Sequence, residues 1–220
     1  MIPFLQNFLK TVEAEPDRAA VVDRDGTRVT TYRELCSCAL RVNAWIRAHG
    51  LGRESVSAIY FPKCMEYVAT RIGIIMAGSA WVGLEDLMGK ERIAFVIRDS
   101  GCKTVFDREK WSEAMQFDEC HEIADSDPHD LAFIIYTSGS TGTPKGIMQE
   151  YGLYDRIMDT ANELFIPYGE LIFAEVAPQT FLSGVFSTVS MLNCGALPLQ
   201  PVRRQTESCT PYSSAADATA

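Results

Sequence analysis

The sequence predicts an α/β fold in which largely parallel sheets are flanked by helices. Two observations support this prediction. Short apolar stretches rich in β-branched residues alternate along the chain with longer stretches of helical period. One apolar stretch, residues 131–136 (LAFIIY), has the composition of a strand that is covered on both faces. In such folds ligands bind beyond the carboxyl ends of the strands, so a functional site is expected in a loop that follows a strand.

The N-terminal part of the chain is predicted to be a helix followed by a hairpin. An amphipathic helix is indicated by apolar residues that share one face: Phe4, Leu5, Phe8, Leu9 and Val12. Residues 20–23 and 28–31 have the composition of strands, and they flank Asp25-Gly26, a dipeptide typical of hairpin turns.

Strands and helices alternate over most of the remaining chain. The predicted elements are a helix that opens with a Thr31/Glu34 capping box and stops at Gly50, a strand at 55–61, a helix that starts at Pro62, a strand at 80–84, a helix at 90–98, a strand at 104–106, a helix at 154–165 and a strand at 171–176. This repeated order is typical of a parallel sheet with helices on both faces.

The loop after the strand at 131–136 is rich in groups that can hold phosphate. It contains five hydroxyl residues, three glycines and a lysine: Thr137, Ser138, Ser140, Thr141 and Thr143; Gly139, Gly142 and Gly146; and Lys145. Hydroxyls donate hydrogen bonds, glycines let the backbone approach a ligand closely, and the lysine adds a mobile cation. Such a loop can surround a polyphosphate with donors.

Two general motifs with similar composition do not fit this loop. A Walker loop that started at Gly139 would need glycine in place of Pro144. A nucleophile elbow around Ser140 would need glycine in place of Ser138. Clusters of Gly, Ser and Thr are also typical of flexible surface loops, but Pro144 restricts the backbone just before Lys145, which favours a dedicated anion site.

Residues 136–146, YTSGSTGTPKG, resemble the phosphate-binding signature of the adenylate-forming superfamily of AMP-dependent synthetases and ligases. Weaker similarity covers residues 31–35 (TYREL), 76–82 (MAGSAWV), 91–93 (ERI) and 99–101 (DSG). Within this superfamily, these segments most resemble the adenylation domains of nonribosomal peptide synthetases. The resemblance implies that the chain folds as the N-terminal, incomplete part of an adenylate-forming enzyme.

The same resemblance implies a chemistry. A substrate carboxylate attacks the α-phosphorus of ATP and gives an acyl-adenylate and pyrophosphate, with Mg²⁺ sharing the charge. The loop residues 137–143 and Gly146 would hold the β- and γ-phosphates, and Lys145 would act catalytically by neutralising the departing pyrophosphate. Family enzymes then pass the acyl group to a thiol, either on coenzyme A or on the phosphopantetheine of a carrier protein.

A second similar segment starts at Phe181, where peptide-synthetase domains carry F-D-x-S. The aspartate of that motif pairs with the α-amino group of an amino acid, and Leu182 stands in its place here. The substrate is therefore either a carboxylic acid without a free α-amine or one whose amine is contacted from elsewhere. A third interpretation is that Phe181 and Leu182 are core residues at a buried junction between strand and helix.

Composition excludes several other classes of protein. A net charge of −9 without a cluster of Lys and Arg argues against binding to nucleic acid or to an anionic membrane. The seven cysteines have no spacing suited to a metal, which favours reduced thiols in a cytosolic core. The N-terminus lacks the pattern of a signal peptide, and the uncharged stretch at residues 72–84 is too short to span a bilayer and is interrupted by glycines. A cytoplasmic location is expected.

Three portions of the chain are predicted. Residues 1–125 form an N-terminal α/β portion, residues 126–200 carry the phosphate loop and the start of a substrate pocket, and residues 201–220 form a disordered tail. The carboxylates of two loops, Glu85 with Asp86 and Asp127 with Asp130, are expected to be solvated. His49 is expected to cap the end of a helix rather than to act in catalysis.

The resemblance also implies that parts of the family's site are missing from these residues. Family members supply an aromatic residue for adenine, an aspartate for the ribose, a glutamate for Mg²⁺ and a C-terminal domain with a catalytic lysine, and none has a counterpart here. The chain is therefore expected to be truncated and inactive alone. Two alternatives are a nucleotide-binding remnant or half-domain that needs a partner, and an unrelated nucleotide-binding module with a similar loop.

Overall fold

Helices and strands alternate along the chain in the computed structural model, which describes residues 1–22, 28–138, 143–165, 172–174, 178–193 and 197–199. The helices are α1 (Pro3–Ala14), α2 (Tyr32–Ala48), α3 (Met65–Met76), α4 (Lys90–Asp99), α5 (Arg108–Ala114), α6 (Gly152–Phe165) and α7 (Leu182–Asn193). The strands are β1 (Ala19–Val22), β2 (Val29–Thr31), β3 (Val56–Tyr60), β4 (Ala80–Leu84), β5 (Thr104–Phe106), β6 (Leu131–Thr137), β7 (Lys145–Glu150), β8 (Ile172–Ala174) and β9 (Leu197–Leu199). A short 3₁₀ helix lies at Asp86–Met88.

Within the described residues the strands form two sheets. The larger sheet has the order β5-β3-β4-β6-β7, and the smaller has the order β2-β1-β9-β8. In the larger sheet all neighbours are parallel except β6 and β7, which are antiparallel. In the smaller sheet β9 runs parallel to both β1 and β8, and β1 pairs antiparallel with β2. The prediction of largely parallel sheets flanked by helices is confirmed.

The central strands of the larger sheet are covered on both faces, because their successive side chains enter different cores. In β4, Ala80, Val82 and Leu84 pack with Ile93 of α4, whereas Trp81 belongs to the larger core on the opposite face. That larger core includes apolar residues of α1, α2, α3, α6 and α7. Burial on both faces explains why the central strands are continuously apolar in sequence.

Helices α2 and α3 pack closely at a glycine. A Cβ built on Gly73 would lie 2.6 Å from the carbonyl oxygen of Ala39 and 2.6 Å from the Cβ of Val42. Only a residue without a side chain allows this approach of the two backbones. Helix α3 is buried along almost its whole length, so its position against the sheet depends on this contact.

Most of the predicted element boundaries are confirmed. The capping box of α2 is present: the Thr31 Oγ1 accepts from the Glu34 amide at 3.2 Å, and the Glu34 carboxylate accepts from the Thr31 amide at 2.8 Å. The C-cap of α2 is His49, whose Nδ1 lies 2.8 Å from the Trp45 carbonyl oxygen. Gly50 follows with a φ of +67°. The predicted hairpin turn Asp25-Gly26 and the tail at 201–220 lie outside the described residues.

The prediction that a helix starts at Pro62 is wrong. Helix α3 begins at Met65, and its N-cap is Cys64 in an extended conformation. The chain needs several residues to turn from the end of β3 onto the face of the sheet. The fixed φ of proline is compatible with this extended path as well as with a helix.

The prediction that Asp130 is a solvated loop charge is also wrong. Asp130 is only 5% exposed. Its Oδ1 accepts from the Nε of Arg53 at 2.9 Å, and its Oδ2 accepts from the amide of Asp127 at 2.9 Å. This carboxylate ties the start of β6 to the turn that precedes it and to the segment before β3.

The described cysteines are free thiols: Cys36, Cys38, Cys64, Cys102 and Cys120. Burial raises the pKa of the Cys36 thiol to about 11, with a smaller contribution from the charge of Glu119. Cys194 and Cys209 lie outside the described residues. Among the described residues, no helix combines the length and the apolar composition needed to cross a bilayer.

The contact between α2 and α3 can be tested by adding one methyl group. We expect Gly73→Ala to destabilise the chain by about 1–3 kcal/mol, because the methyl overlaps the Ala39 carbonyl oxygen and the Val42 side chain of α2. The matched control is Gly52→Ala, where the added Cβ would meet only the Ala77 carbonyl oxygen at 3.7 Å. That variant is expected to stay within about 0.5 kcal/mol of the wild type. Urea unfolding measures both, and equal effects would contradict the close packing at Gly73.

Candidate functional site

The predicted phosphate loop connects two antiparallel strands at one end of the larger sheet. Strand β6 ends at Thr137 and β7 starts at Lys145, and these two residues are paired across the strands. Residues 139–142, which include Gly139, Ser140, Thr141 and Gly142, lie outside the described residues. Sequence alone left open whether a helix follows the loop. Among the described residues the element that follows the loop is the strand β7, so the loop does not lead into a helix there, and Lys145 and backbone amides are the expected sources of positive charge.

The loop lies where a parallel sheet binds its ligands. Trp81 and Val82 of β4 pair in parallel with Phe133 and Ile134 of β6, so both strands end at the same edge. The loop leaves the sheet at this carboxyl edge, as expected for a doubly covered α/β sheet. Sequence reasoning missed β7, because its residues KGIMQE do not alternate cleanly between apolar and polar side chains.

The described loop residues are open to solvent. Thr137, Ser138, Thr143 and Gly146 are exposed, and so is Lys145. Within the described part of the chain no carboxylate forms an ion pair with the Lys145 amine. Its charge is therefore not neutralised by these residues and can act on an anionic ligand. Lysine acts on phosphate as a mobile point charge.

The base of the loop is fixed by Tyr136. Its hydroxyl donates to the Asp99 carboxylate at 2.7 Å, and its ring lies edge-on to Phe95 at 6.3 Å. The same ring covers Gly146, where an added Cβ would lie 3.0 Å from the Tyr136 Cζ. Burial is the larger cause and the neighbouring Asp99 carboxylate the smaller cause of a raised pKa of the Tyr136 hydroxyl. The hydroxyl therefore stays protonated and remains a donor. Gly146 is thus needed for close packing.

Phe181 and Leu182 lie at the beginning of α7. The chain turns just before them, and the Phe181 amide donates to the Pro178 carbonyl at 3.1 Å. Phe181 is 54% exposed and Leu182 is 45% exposed. The interpretation of these two residues as core is therefore wrong. A tight turn at the helix start directs them away from the core, and this turn requires Gly184, whose Cβ would lie 2.4 Å from the Pro178 oxygen.

A buried arginine that sequence reasoning missed contacts the turn before α7. The Nη1 of Arg71 donates to the Gln179 Oε1 at 3.1 Å, and the hydroxyl of Thr188 donates to the same oxygen at 3.4 Å. Gly83 of β4 lies beneath the turn, since its added Cβ would be 3.4 Å from the Gln179 carbonyl oxygen. A sequence signal for this residue exists: Arg71 is a lone basic residue within the apolar stretch of α3.

The donors at this edge suit a polyphosphate better than they suit a metal ion. Hydroxyls and an unneutralised lysine are the groups that bind phosphate. Among the described residues, no group of three or more His, Cys, Asp and Glu could hold a metal ion. Near the ends of β3 and β4, Tyr60 donates to the carboxylate of Asp86, and Glu85 has a buried Oε1 without a hydrogen-bond partner. No described residue is therefore assigned to Mg²⁺.

The two-sheet fold matches solved structures of adenylate-forming enzymes. The nonribosomal peptide synthetase FmoA3 in its AMPPNP-bound form gives a TM-score of 0.80 at 21% identity, covering 91% of this chain and 23% of that one. VinN in complex with L-aspartate gives 0.79 at 20% identity, covering 90% and 62%. The N-terminal domain of FACL13 from Mycobacterium tuberculosis gives 0.81 at 16% identity, covering 92% and 58%. These likenesses establish the fold as the N-terminal part of an adenylate-forming domain.

Sequence comparison identifies the family. The AMP-binding enzyme model matches residues 8–199. Surfactin synthase subunit 2 of Bacillus subtilis (strain 168) is 33% identical over 218 residues, which cover 91% of this chain and 6% of that protein. Bacitracin synthase 1 of Bacillus licheniformis is 31% identical over 210 residues, covering 88% and 4%. The chain belongs to the AMP-binding enzyme family, and the matched parts of these relatives are adenylation domains of nonribosomal peptide synthetases. It spans less than a tenth of the length of either relative.

The role of Tyr136 at the base of the loop predicts that the stability of the chain falls at alkaline pH. We expect Tyr136→Phe to destabilise the chain by about 1 kcal/mol at neutral pH, because the hydrogen bond to Asp99 is lost. Folding raises the pKa of this hydroxyl above its ordinary value of 10.0, so its contribution is present below that pH and is lost as pH rises above it. Chemical unfolding between neutral and alkaline pH should therefore show a steeper loss in the wild type than in Tyr136→Phe. If the free energy of unfolding fell equally with pH in the wild type and in Tyr136→Phe, the stabilising role of the Tyr136 hydroxyl would be contradicted.

Proposed function

We propose that this chain is the phosphate-binding part of an adenylation domain that activates a carboxylic acid, of the amino-acid type, with ATP. The observation that carries the proposal is the unneutralised Lys145, exposed at the carboxyl edge of β6 in a chain of the AMP-binding enzyme family. The FmoA3 structure with AMPPNP supports ATP as the nucleotide. The products would be an acyl-adenylate and pyrophosphate, and the acyl group would pass to a thiol of coenzyme A or of a carrier-protein phosphopantetheine.

The reaction balances as a displacement at phosphorus. An oxygen of the substrate carboxylate forms a bond to the α-phosphorus, and the bond from that phosphorus to the bridging oxygen of pyrophosphate breaks. Residues 137–143 and Gly146 would donate hydroxyl and amide hydrogens to the β- and γ-phosphates. Lys145 would offset the negative charge that grows on the departing pyrophosphate. Mg²⁺ bound to the phosphates would share that charge.

The acid would lie against the beginning of α7. Phe181 and Leu182 present exposed apolar surface there, and Leu182 supplies no carboxylate for an α-ammonium group. Two neighbours of the same fold support a small acid as substrate: VinN was solved with L-aspartate, and FmoA3 was solved with α-methyl-L-serine-AMP. The acid favoured here is one that needs no ammonium contact at residue 182.

A second candidate function is that of a half-domain that binds nucleotide and needs a polypeptide partner. Strand β7 is the last strand of the larger sheet, so one of its edges has no neighbouring strand among the described residues. Ile147 and Met148 in this strand are 46% and 73% exposed. An exposed apolar edge strand is a ready template for pairing with another segment. Both candidate functions use the phosphate loop to bind nucleotide. They differ in that the half-domain would not catalyse adenylation without its partner.

The role of Lys145 can be tested by nucleotide binding. We expect Lys145→Ala to weaken ATP binding about tenfold, which corresponds to ~1.4 kcal/mol, because a charge on the phosphates is lost. The matched control is Lys103→Ala, which removes an exposed lysine just before β5. Isothermal titration calorimetry on the whole chain measures both. Equal affinities for the two variants would place the nucleotide somewhere other than the loop.

Catalysis by the chain alone can be tested by isotope exchange. We expect carboxylate-dependent exchange between ATP and pyrophosphate to stay at background for the purified chain, even where ATP binds. The reason is that the described residues offer no acidic cluster for Mg²⁺. Robust exchange that depends on an added acid would contradict the proposed inactivity while supporting adenylation itself.

A further inference from the structure

Arg71 is a buried cation in the middle of α3. It is only 2% exposed. Its guanidinium lies over the ring of Trp81 at 5.3 Å and over the ring of Tyr67 at 5.8 Å. These ring contacts offset part of the desolvation of the charge, since the face of an aromatic ring attracts a cation. They leave the edge of the guanidinium for hydrogen bonding.

The hydrogen-bond donors on that edge of the guanidinium are only partly satisfied by the described residues. The Nη1 of Arg71 donates to a neutral amide oxygen, the Oε1 of Gln179. The Nη2 is buried and has no hydrogen-bond partner among the described residues. Within the described part of the chain Arg71 forms no ion pair, whereas Arg53 pairs with Asp130. The nearby Tyr154 supplies no negative charge, because burial raises the pKa of its hydroxyl to about 12.

A buried guanidinium without a carboxylate is costly to the folded chain. Removing a charge from water carries a penalty that only an anion with good hydrogen bonds offsets. The planar edge of arginine matches a carboxylate, which can accept from both terminal nitrogens. The arrangement around Arg71 therefore lacks one carboxylate group, and the described residues do not provide it.

The location of Arg71 relates this missing carboxylate to the acid of the proposed reaction. Gln179, its hydrogen-bond partner, belongs to the turn that leads to Phe181 and Leu182. Beneath the turn, Gly83 lies near the carboxyl end of β4, at the edge where the phosphate loop also leaves the sheet. The cation is thus joined through Gln179 to the turn that leads into α7. At the beginning of that helix Leu182 provides no negative charge.

We propose that Arg71 is the counter-ion of a second carboxylate on the acid, so that the substrate class is a dicarboxylic acid. One carboxylate reacts with ATP, and the other joins the Nη2 of Arg71 and replaces or accompanies the Gln179 amide at Nη1. This inference rests on the proposed function, since it assigns the specificity of the same acid site. Arg71 is in this account a specificity-determining residue.

A purely structural role for Arg71 leads to the opposite result in a stability measurement. If the arginine serves only to hold Gln179, replacing it with an apolar residue of similar length must weaken the fold. If it awaits a ligand, the same replacement removes an uncompensated buried charge, and stability without ligand stays equal or rises. Thermal unfolding of Arg71→Met without ligand separates these two roles.

The experiment compares four forms of the whole chain by thermal unfolding: wild type, Arg71→Met, Arg71→Lys and Arg98→Met. Arg98 is the matched control, because it is an exposed arginine whose guanidinium also lies over an aromatic ring, that of Phe95. Each form is measured with glutarate, with pentanoate and with inorganic phosphate at one ionic strength and without ATP. Glutarate and pentanoate have the same number of carbons and differ by one carboxylate.

We expect glutarate near saturation to raise the Tm of the wild type and of Arg98→Met by about 2–4 °C. The increase should be smaller in Arg71→Lys, which keeps the charge without the planar edge, and absent in Arg71→Met. Pentanoate and phosphate should leave every Tm unchanged. In the absence of ligand, Arg71→Met should melt at or above the wild-type Tm.

Four results would overturn the proposal: a lower Tm or failed folding of Arg71→Met, a glutarate effect that survives in Arg71→Met, no glutarate effect in the wild type, or an equal effect of phosphate. The last would indicate a general anion site. Because these measurements contain no ATP, their failure would leave ATP binding at Lys145 intact. Loss of the proposed function would instead appear as ATP binding that is indifferent to Lys145.

Discussion

The indole of Trp81 is the contact on which the rest of this structure depends. It stacks on Phe133 of β6 at 5.2 Å, and its Nε1 donates to the hydroxyl of Tyr154 on α6 at 3.0 Å. The guanidinium of Arg71, on α3, lies over the same ring at 5.3 Å. Trp81 is fully buried, so these contacts are free of competing water. One side chain therefore fixes β4 to β6 and both strands to α6.

Both segments of the candidate site depend on this arrangement. Strand β6 carries the phosphate loop directly, and its final turn toward the loop is held by Tyr136. Arg71 extends the same contact to Gln179 and so to the beginning of α7. Loops that hold phosphate and acid must be precise relative to each other, because displacement at phosphorus requires alignment of the two reactants. Both segments are attached to β4 or to elements that pack against it, and this shared attachment keeps them aligned.

Sequence patterns predicted the parts of this structure that are determined locally. Local sequence predicts the capping box of Thr31 and Glu34 and the bounds of β4, because each depends on residues only a few positions apart. The loop could also be found, because its composition is unusual for its length. The burial of Asp130, the exposure of Leu182 and the pairing of Lys145 in β7 could not be predicted. Each is decided by a partner far away in sequence or by a turn that redirects the chain.

The central claim is that the Lys145 amine contacts the terminal phosphates of ATP. The most direct measurement treats the chain with an ATP derivative whose terminal phosphate carries an acyl group. Such a mixed anhydride transfers its acyl group to an amine that lies against the phosphates. Peptide mass spectrometry then locates the modified lysine. We expect modification at Lys145 that excess ATP suppresses. Modification of other lysines with Lys145 left unmodified would contradict the account.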